Sequence, residues 1–210
     1  MLKVEAPGGA RDILLHACCA PCSGAILECL RDSGIRPVVF FSNANIFPRG
    51  EYDLRLSEMQ RYADTMGVEL VADEYDHAAW LEAVRGLERE PERGERCAAC
   101  FRFRLARAAR FAAQRGLPVL ATTLASSRWK DLDQVNAAGL SVCPPQEVIW
   151  WPQNWRRGGL QERRGEVIRE QGFYNQTWCG CEFSSTTSSS RTGALKTKEP
   201  PPGMASDNIY

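Results

Sequence analysis

The chain has 210 residues, 44% hydrophobic and 25% charged, which at roughly 150 residues per domain makes one soluble globular domain with room for an appendage. Lys+Arg and Asp+Glu both number 26, so no overall charge announces a nucleic-acid or membrane partner. Apolar runs such as Val38–Phe41 fall far short of the roughly 18 residues of a membrane span, and no sustained apolar stretch opens the chain; no membrane association and a cytoplasmic location are expected.

In chain order, Asp12–Ala17 reads as a short buried strand and Ser23–Asp32 as a helix stopped by Gly34. Pro37–Phe41 is a second strand, followed by a turn-rich loop from Asn43 to Gly50. Glu51–Met66 is helical and closed by Gly67; Val68–Ala72 is a third strand. His77–Arg85 forms a helix, Gly86–Glu95 a charged loop, and Cys97–Arg115 a long helix ended by Gly116. Pro118–Thr122 is a fourth strand, Asp131–Ala138 helix, Gln146–Trp151 extended and Leu160–Gln171 helix. Strands alternating with helices predict an α/β fold with a mostly parallel sheet. The expected organisation is an extension over residues 1–11, one α/β domain over 12–184, and a Ser/Thr- then Lys/Pro-rich disordered tail over 185–210.

Ligands of open parallel sheets collect at the carboxyl ends of the strands. Cys18 and Cys19 follow the first strand, Asn43 and Asn45 the second, Tyr75 and Asp76 the third, and Thr122, Thr123 and Ser126 the fourth. Thiols and polar groups therefore share one edge.

Nine cysteines are the informative excess. Seven fall in three groups: Cys18-Cys19 with Cys22, Cys97 with Cys100, and Cys179-Gly180-Cys181; Cys29 and Cys143 stand alone and are read as core thiols. An odd, clustered set argues for metal or redox chemistry rather than a secreted disulfide framework. Adjacent cysteines make a poor structural bridge, but two thiolates at one strand-to-helix turn can face one metal centre. Cys97 and Cys100, at i and i+3, face a common object as well. Four thiolates suit tetrahedral zinc or a 4Fe–4S cluster, and spacing alone does not choose. Their place on the functional edge, and spare sulfur in Cys22 and the Cys179/Cys181 pair, favour iron–sulfur. A Cys-Gly-Cys pair can store two electrons and two protons as a dithiol, or bind a further metal.

Charge is segregated along the chain. Glu51–Glu95 holds 13 acidic and 5 basic residues; Arg96–Lys130 holds 8 basic and no acidic ones. Arg104 and Arg107 continue the face carrying Cys97 and Cys100, and a second basic group from Arg156 to Arg169 follows Trp150, Trp151 and Trp155. Such interleaving can grip phosphates and stack bases, and equally can be a solvated helix surface.

Taken together, the motifs Leu15-His16-Ala17-Cys18-Cys19-Ala20-Pro21-Cys22, Phe41–Pro48 with Glu51-Tyr52 and Arg55, Tyr75-Asp76 with Trp80, Gly86-Leu87-Glu88, Gly94-Glu95-Arg96-Cys97 to Cys100-Phe101-Arg102, Thr122-Thr123-Leu124, and Tyr174 with Cys179–Ser184 resemble the QueH-type epoxyqueuosine reductases. The order is unbroken from about residue 12 to 184. The resemblance implies a Rossmann-like fold akin to adenine-nucleotide α-hydrolases and cobalamin-independent reduction of epoxyqueuosine to queuosine at the wobble position of tRNA. It implies Cys18, Cys19, Cys97 and Cys100 as ligands of a 4Fe–4S cluster and Cys179 with Cys181 as a redox-active disulfide. One departure is Ser126-Ser127-Arg128-Trp129-Lys130, where the family carries a Ser-Pro-containing stretch.

Removing an epoxide oxygen takes two electrons, two protons and a Lewis acid, here the cluster edge or a second, mononuclear iron held with help from Cys22. Tyr52, Tyr75, Asp76 and His16 are candidate proton donors, with Asp76 alternatively a helix cap and His16 a satisfied core residue. Asn45, Arg55, Arg104 and Arg107 are candidates for holding substrate or tRNA. The expected partners are tRNA containing epoxyqueuosine and a low-potential electron donor of the ferredoxin or flavodoxin type. Two other readings remain: an iron–sulfur tRNA thiolation enzyme, whose Ser-Gly-Gly-x-Asp-Ser phosphate loop is missing where this chain has Cys22-Ser23-Gly24-Ala25-Ile26, and a zinc-stabilised RNA-binding module without catalysis.

Overall fold

The structure, a computed structural model, describes residues 2–143 and 147–184. The tail expected over 185–210, and Gln146 at the start of the expected extended segment, lie outside the described residues. Among the described residues, eleven helices and strands follow in order: β1 (Asp12–His16), α1 (Ala20–Asp32), β2 (Arg36–Phe41), α2 (Arg49–Met66), β3 (Leu70–Ala72), α3 (His77–Ala83), α4 (Glu95–Gln114), β4 (Val119–Thr122), α5 (Leu132–Val142), β5 (Ile149–Trp150) and α6 (Leu160–Gln171). Short 3-10 turns at Pro7–Gly9 and Thr123–Ser126 were not foreseen in the sequence.

The five strands make one parallel sheet in the order β3-β2-β1-β4-β5. Parallel neighbours need helical crossovers, so both sheet faces are covered and the strands are apolar on both sides. The two-residue alternation divides them cleanly. Ile13, Leu15, Val39, Phe41, Val119 and Ala121 point into the core built with α1, α2 and α6. Leu14, Phe40 and Leu120 point into the opposite core, with Leu105, Ala108, Ala112, Val135 and Ala138 of α4 and α5. This is the Rossmann-like α/β arrangement expected.

Chain order runs outward from β1 to β3 on one side, then restarts at β4 on the other. The resulting switch point opens a crevice beyond the carboxyl ends of β1 and β4, where such sheets bind ligands. A third, smaller apolar group caps this end: Ala44, Trp80, Val84, Ala99, Cys100 and Cys181. Cys29 and Cys143 are buried far from it in the two main cores.

Candidate functional site: two groups of thiols at the switch point

His16 ends β1 in register with Thr122 of β4. Its Nε2 lies 3.1 Å from the Ser42 carbonyl and its Nδ1 2.8 Å from Thr122 Oγ1. A carbonyl only accepts, so Nε2 carries the proton and Nδ1 accepts from the threonine hydroxyl. Burial, with help from the nearby Arg104 charge, pushes the imidazole pKa down to about 3, so His16 is a neutral clasp across the switch point.

Beyond His16 the chain turns through Cys18 and Cys19 into α1. The Cys18 N–H donates to Thr123 Oγ1 at 3.0 Å, and the Thr123 hydroxyl donates to Cys18 Sγ at 3.3 Å. Cys19, with extended backbone, precedes the first helical residue Ala20, and Pro21 suits the first turn because its missing N–H has no helical partner there. The helix therefore starts earlier than the expected Ser23, which brings Cys22 back over the vicinal pair. The Sγ atoms of Cys18, Cys19 and Cys22 all lie within 4.8 Å of one another, with Cys18 and Cys19 3.7 Å apart. Tetrahedral sulfur ligation at about 2.3 Å from a metal sets the sulfur–sulfur edge at roughly 3.8 Å. Hydrogen bonds from Cys19 and Cys22, aided by the Lys130 charge, hold the Cys18 thiol well below its ordinary pKa. Cys22 is pushed up to about 12, the ionised Cys18 being the first cause.

The second group comes from opposite ends of the sequence. Gly94 precedes α4, whose first turns carry Cys97 and Cys100 on one side. Arg93 occupies the left-handed region at φ 68°, and its N–H points at Cys97 Sγ, 3.3 Å away. After α6 the Cys179-Gly180-Cys181 segment returns to the same place. It is held by backbone contacts: Phe47 N–H to Gly180 O at 2.9 Å, Arg55 Nη2 to Trp178 O at 3.3 Å, and Asn45 Nδ2 to Cys179 O at 3.5 Å. His77 Nε2 meets Glu182 Oε1 at 2.9 Å.

Cys97, Cys100, Cys179 and Cys181 line one cleft, together with Asn45, Arg104 and Lys130. All nine cysteines are free thiols. Cys179 is held well below the usual thiol range, first by hydrogen bonding to Cys181 and then by the Lys130 charge, while Cys181 is pushed far up by its ionised neighbour. The pair is thus a thiolate beside a thiol. Asn45 Oδ1 is buried without a hydrogen-bond partner among the described residues, a polar atom kept for something in the cleft.

Lys130 was not singled out in the sequence and stands between the two thiol groups. Burial pulls its pKa down, but the charges of Cys179, Cys18 and Cys22 more than offset this, and the net displacement is upward. A signal was available: it is the only lysine between Lys3 and Lys196 in a chain with 22 arginines.

The other candidates are placed as supports around these thiols. Buried Arg55 pairs with Glu51 at 2.5 Å and steadies Trp178. Buried Arg104 donates to Ser42 O at 3.1 Å and to Asn43 Oδ1. Arg107 is paired with Asp73. The Tyr52 hydroxyl donates to Asp73 O at 3.3 Å and that of Tyr75 to Ile46 O at 2.7 Å; Asp76 caps α3 by accepting from Ala79 N–H at 2.9 Å. In the second basic group, Arg163 is tied to Glu28, Glu166 and Glu170, while Trp151 and Trp155 are buried. Among the described residues no helix is long and apolar enough to cross a membrane.

A family model described as epoxyqueuosine reductase QueH matches residues 13–187. The chain is similar to the epoxyqueuosine reductase QueH of Histophilus somni, 42% identical over 183 residues that cover 87% of this chain and 75% of that protein. Its likeness to the Acinetobacter baylyi protein of that name is 40% over 184 residues, covering 87% and 84%. To the Thermotoga maritima protein it is 31% over 175 residues, covering 82% and 89%. With a Rossmann-like sheet presenting thiols at its switch point and likeness of this extent, the chain belongs to the epoxyqueuosine reductase QueH family and is an oxidoreductase.

Proposed function

We propose that this chain converts epoxyqueuosine to queuosine at the wobble position of tRNA by an iron–sulfur-dependent, cobalamin-independent deoxygenation, in the cytoplasm where tRNA is found. The observation that carries the reading is the gathering of seven thiols on one sheet edge, with a free dithiol beside a lysine in the cleft.

The donor set fits iron. Cys18 and Cys19, turned out of β1, would hold a 4Fe–4S cluster with Cys97 and Cys100 from α4. Cys22, stacked against the vicinal pair, would help hold a second, mononuclear iron. When bound, iron supplies one-electron transfer and a Lewis acid for the epoxide oxygen.

The chain's own groups account for the rest. Both C–O bonds of the epoxide break, a C=C bond forms, and the oxygen leaves as water, which consumes two electrons and two protons. Oxidising the Cys179 thiolate and the Cys181 thiol to a disulfide releases two electrons and one proton, and the Lys130 ammonium supplies the second proton, so the step balances. Cys181 keeps its proton because Cys179 has lost one, and Lys130 brings a further proton and a positive charge to the same cleft. The unpartnered Asn45 Oδ1 would accept a hydrogen bond from the substrate's hydroxyl or amine groups. Arg55 and Arg104 fix the loops that carry Cys179 and Asn45, Arg107 anchors α4, and Tyr52, Tyr75 and Asp76 order the chain after β3. A low-potential donor of the ferredoxin or flavodoxin type would return the disulfide to the dithiol.

Anaerobic purification with iron and sulfide analysis, a visible spectrum, and assay on tRNA containing epoxyqueuosine tests the reading. A brown protein that forms queuosine only with reductant supports it; a colourless protein with one zinc and no conversion refutes it. Replacing Cys179 and Cys181 with Ala is expected to keep the iron and its absorbance while abolishing turnover. Loss of iron in that variant would make them metal ligands instead.

A further inference from the structure

The segment after β4 holds an indole in the solvent. Trp129 is 80% exposed, the most exposed of the large hydrophobic side chains described. Its backbone is firmly tied. Arg93 donates to the carbonyls of Arg128 and Trp129 at 3.0 and 2.9 Å, and Arg156 donates to those of Ala125 and Lys130 at 3.2 and 2.8 Å. Gln161 Nε2 adds a bond to Ser126 O at 3.1 Å. The loop is thus clamped through its carbonyls while most of the ring stands in solvent. Leaving this much apolar surface in water has no folding benefit, and a rigid platform binds with little further ordering cost.

The surroundings narrow what would cover it. The clamp puts like charges together: Arg93, Arg128 and Arg156, with the Arg93 charge felt at Arg156. Asp131, the acid in this group, accepts from Gln134 N–H at 3.0 Å as the cap of α5. Cations around an exposed aromatic suit a phosphate backbone with a base on the ring. Lys130, the next residue, lines the cysteine cleft, so the platform stands at its rim. A nucleoside drawn into the cleft from a single-stranded loop leaves its neighbour at that rim, a residue's spacing away.

We propose that Trp129 is a stacking platform for the nucleobase adjacent to the modified nucleoside of the RNA substrate, with Arg93, Arg128 and Arg156 facing its phosphates. The proposal rests on the tRNA reading above and adds how the RNA is held.

The test measures dissociation constants for labelled anticodon stem-loop RNA at fixed salt, with unmodified bases, and for the same hairpin with an abasic site on either side of the wobble position. Trp129→Ala is expected to weaken binding of the intact hairpin roughly 5- to 100-fold. Trp129→Tyr should recover most of this and Trp129→Leu should not, because the π face rather than bulk is needed. One of the two abasic hairpins should bind wild type correspondingly worse and lose no more than about twofold further in Trp129→Ala. The dependence on salt should be unchanged in Trp129→Ala, since no phosphate contact is removed, and shallower by about one ion in Arg128→Gln.

Wild type and Trp129→Ala binding within twofold, equal performance of Leu and Tyr, or multiplying losses from the abasic site and Trp129→Ala would each overturn the stacking proposal. If wild type nonetheless binds and converts tRNA, the functional reading stands and stacking alone falls. Failure of wild type to bind any of these RNAs removes both.

Discussion

Arg107 Nη2 lies 2.9 Å from Asp73 Oδ1, and the guanidinium Nε faces the other carboxylate oxygen, so the pair meets as a two-pronged fork. The contact ties α4 to the chain just after β3. Asp73 also accepts from the Ser42 hydroxyl at 2.6 Å, and the Ser42 carbonyl in turn receives His16 and Arg104. Both charged side chains are mostly buried. Arg107→Ala strands a carboxylate, and it is expected to lower unfolding free energy by about 2–3 kcal/mol. Burial would raise the Asp73 pKa, but the hydrogen bonds from Arg107 and Ser42 prevail and hold it below the ordinary carboxylate value. The unfolded chain then binds the proton more readily, so the stabilisation is complete above about pH 4 and is lost as pH falls through the folded value. Urea melts between pH 3 and pH 7 check this: Asp73→Asn should flatten the acid limb relative to wild type.

Cys22 separates the two proposed iron sites. Its sulfur lies within 4.8 Å of those of Cys18 and Cys19, yet it is the one thiol of that trio not assigned to the cluster. Cys22→Ser exchanges a soft thiolate for a poor ligand. The expected result is loss of about one iron per chain, with sulfide content and the visible spectrum of the cluster retained. Unchanged iron would leave Cys22 with only a packing role in α1.

Much of this arrangement was readable from local pattern. Short apolar runs and Gly stops located the parallel strands and their helices, and the vicinal cysteines and the Cys97/Cys100 pair declared themselves by spacing. What escaped depends on contacts between distant stretches. The Cys179–Cys181 segment is held by Phe47, Arg55 and Asn45, more than 120 residues earlier, and no local propensity encodes those bonds. Lys130 was averaged into a basic segment, although the chain's near-exclusive use of arginine marked it out. The helix starts at Ala20, three residues before the expected Ser23: Cys18-Cys19-Ala20-Pro21 reads as a turn, but Pro21 in fact sits in the first helical turn.

Gly180 sets the reach of the dithiol. Its φ of +94° lies where side chains are strained, and a Cβ there would come within 2.8 Å of Ile46 Cγ1 and 3.2 Å of Arg55 Nη1. Gly180→Ala must shift the loop, and with it the contact between Cys179 and Cys181. Misplacement by about 1 Å can cost a hundredfold in rate, so turnover is expected to fall by roughly one to two orders of magnitude. Iron content should stay at the wild-type value, since the proposed ligands lie in the turn after β1, on α1 and on α4. Iron analysis beside single-turnover rates distinguishes this from general loss of the site.

Lys130 makes a prediction about the thiols themselves. Hydrogen bonding from Cys181 is the first reason that Cys179 ionises easily, and the Lys130 ammonium is the charge that helps most. Lys130→Met keeps the apolar stem but removes the charge, so the Cys179 thiolate loses a stabilising partner while its hydrogen bond stays. In the anaerobic, iron-loaded protein, the pH midpoint for alkylation of Cys179, followed by peptide mass mapping, is expected to rise by roughly one unit. Lys130→Arg should restore most of the shift because charge, not shape, is responsible. Cys181 should remain slow to react in all three proteins, its proton being held by the ionised neighbour. A midpoint unmoved in Lys130→Met would mean that Cys181 alone tunes Cys179, and Lys130 would then act on the substrate rather than on sulfur.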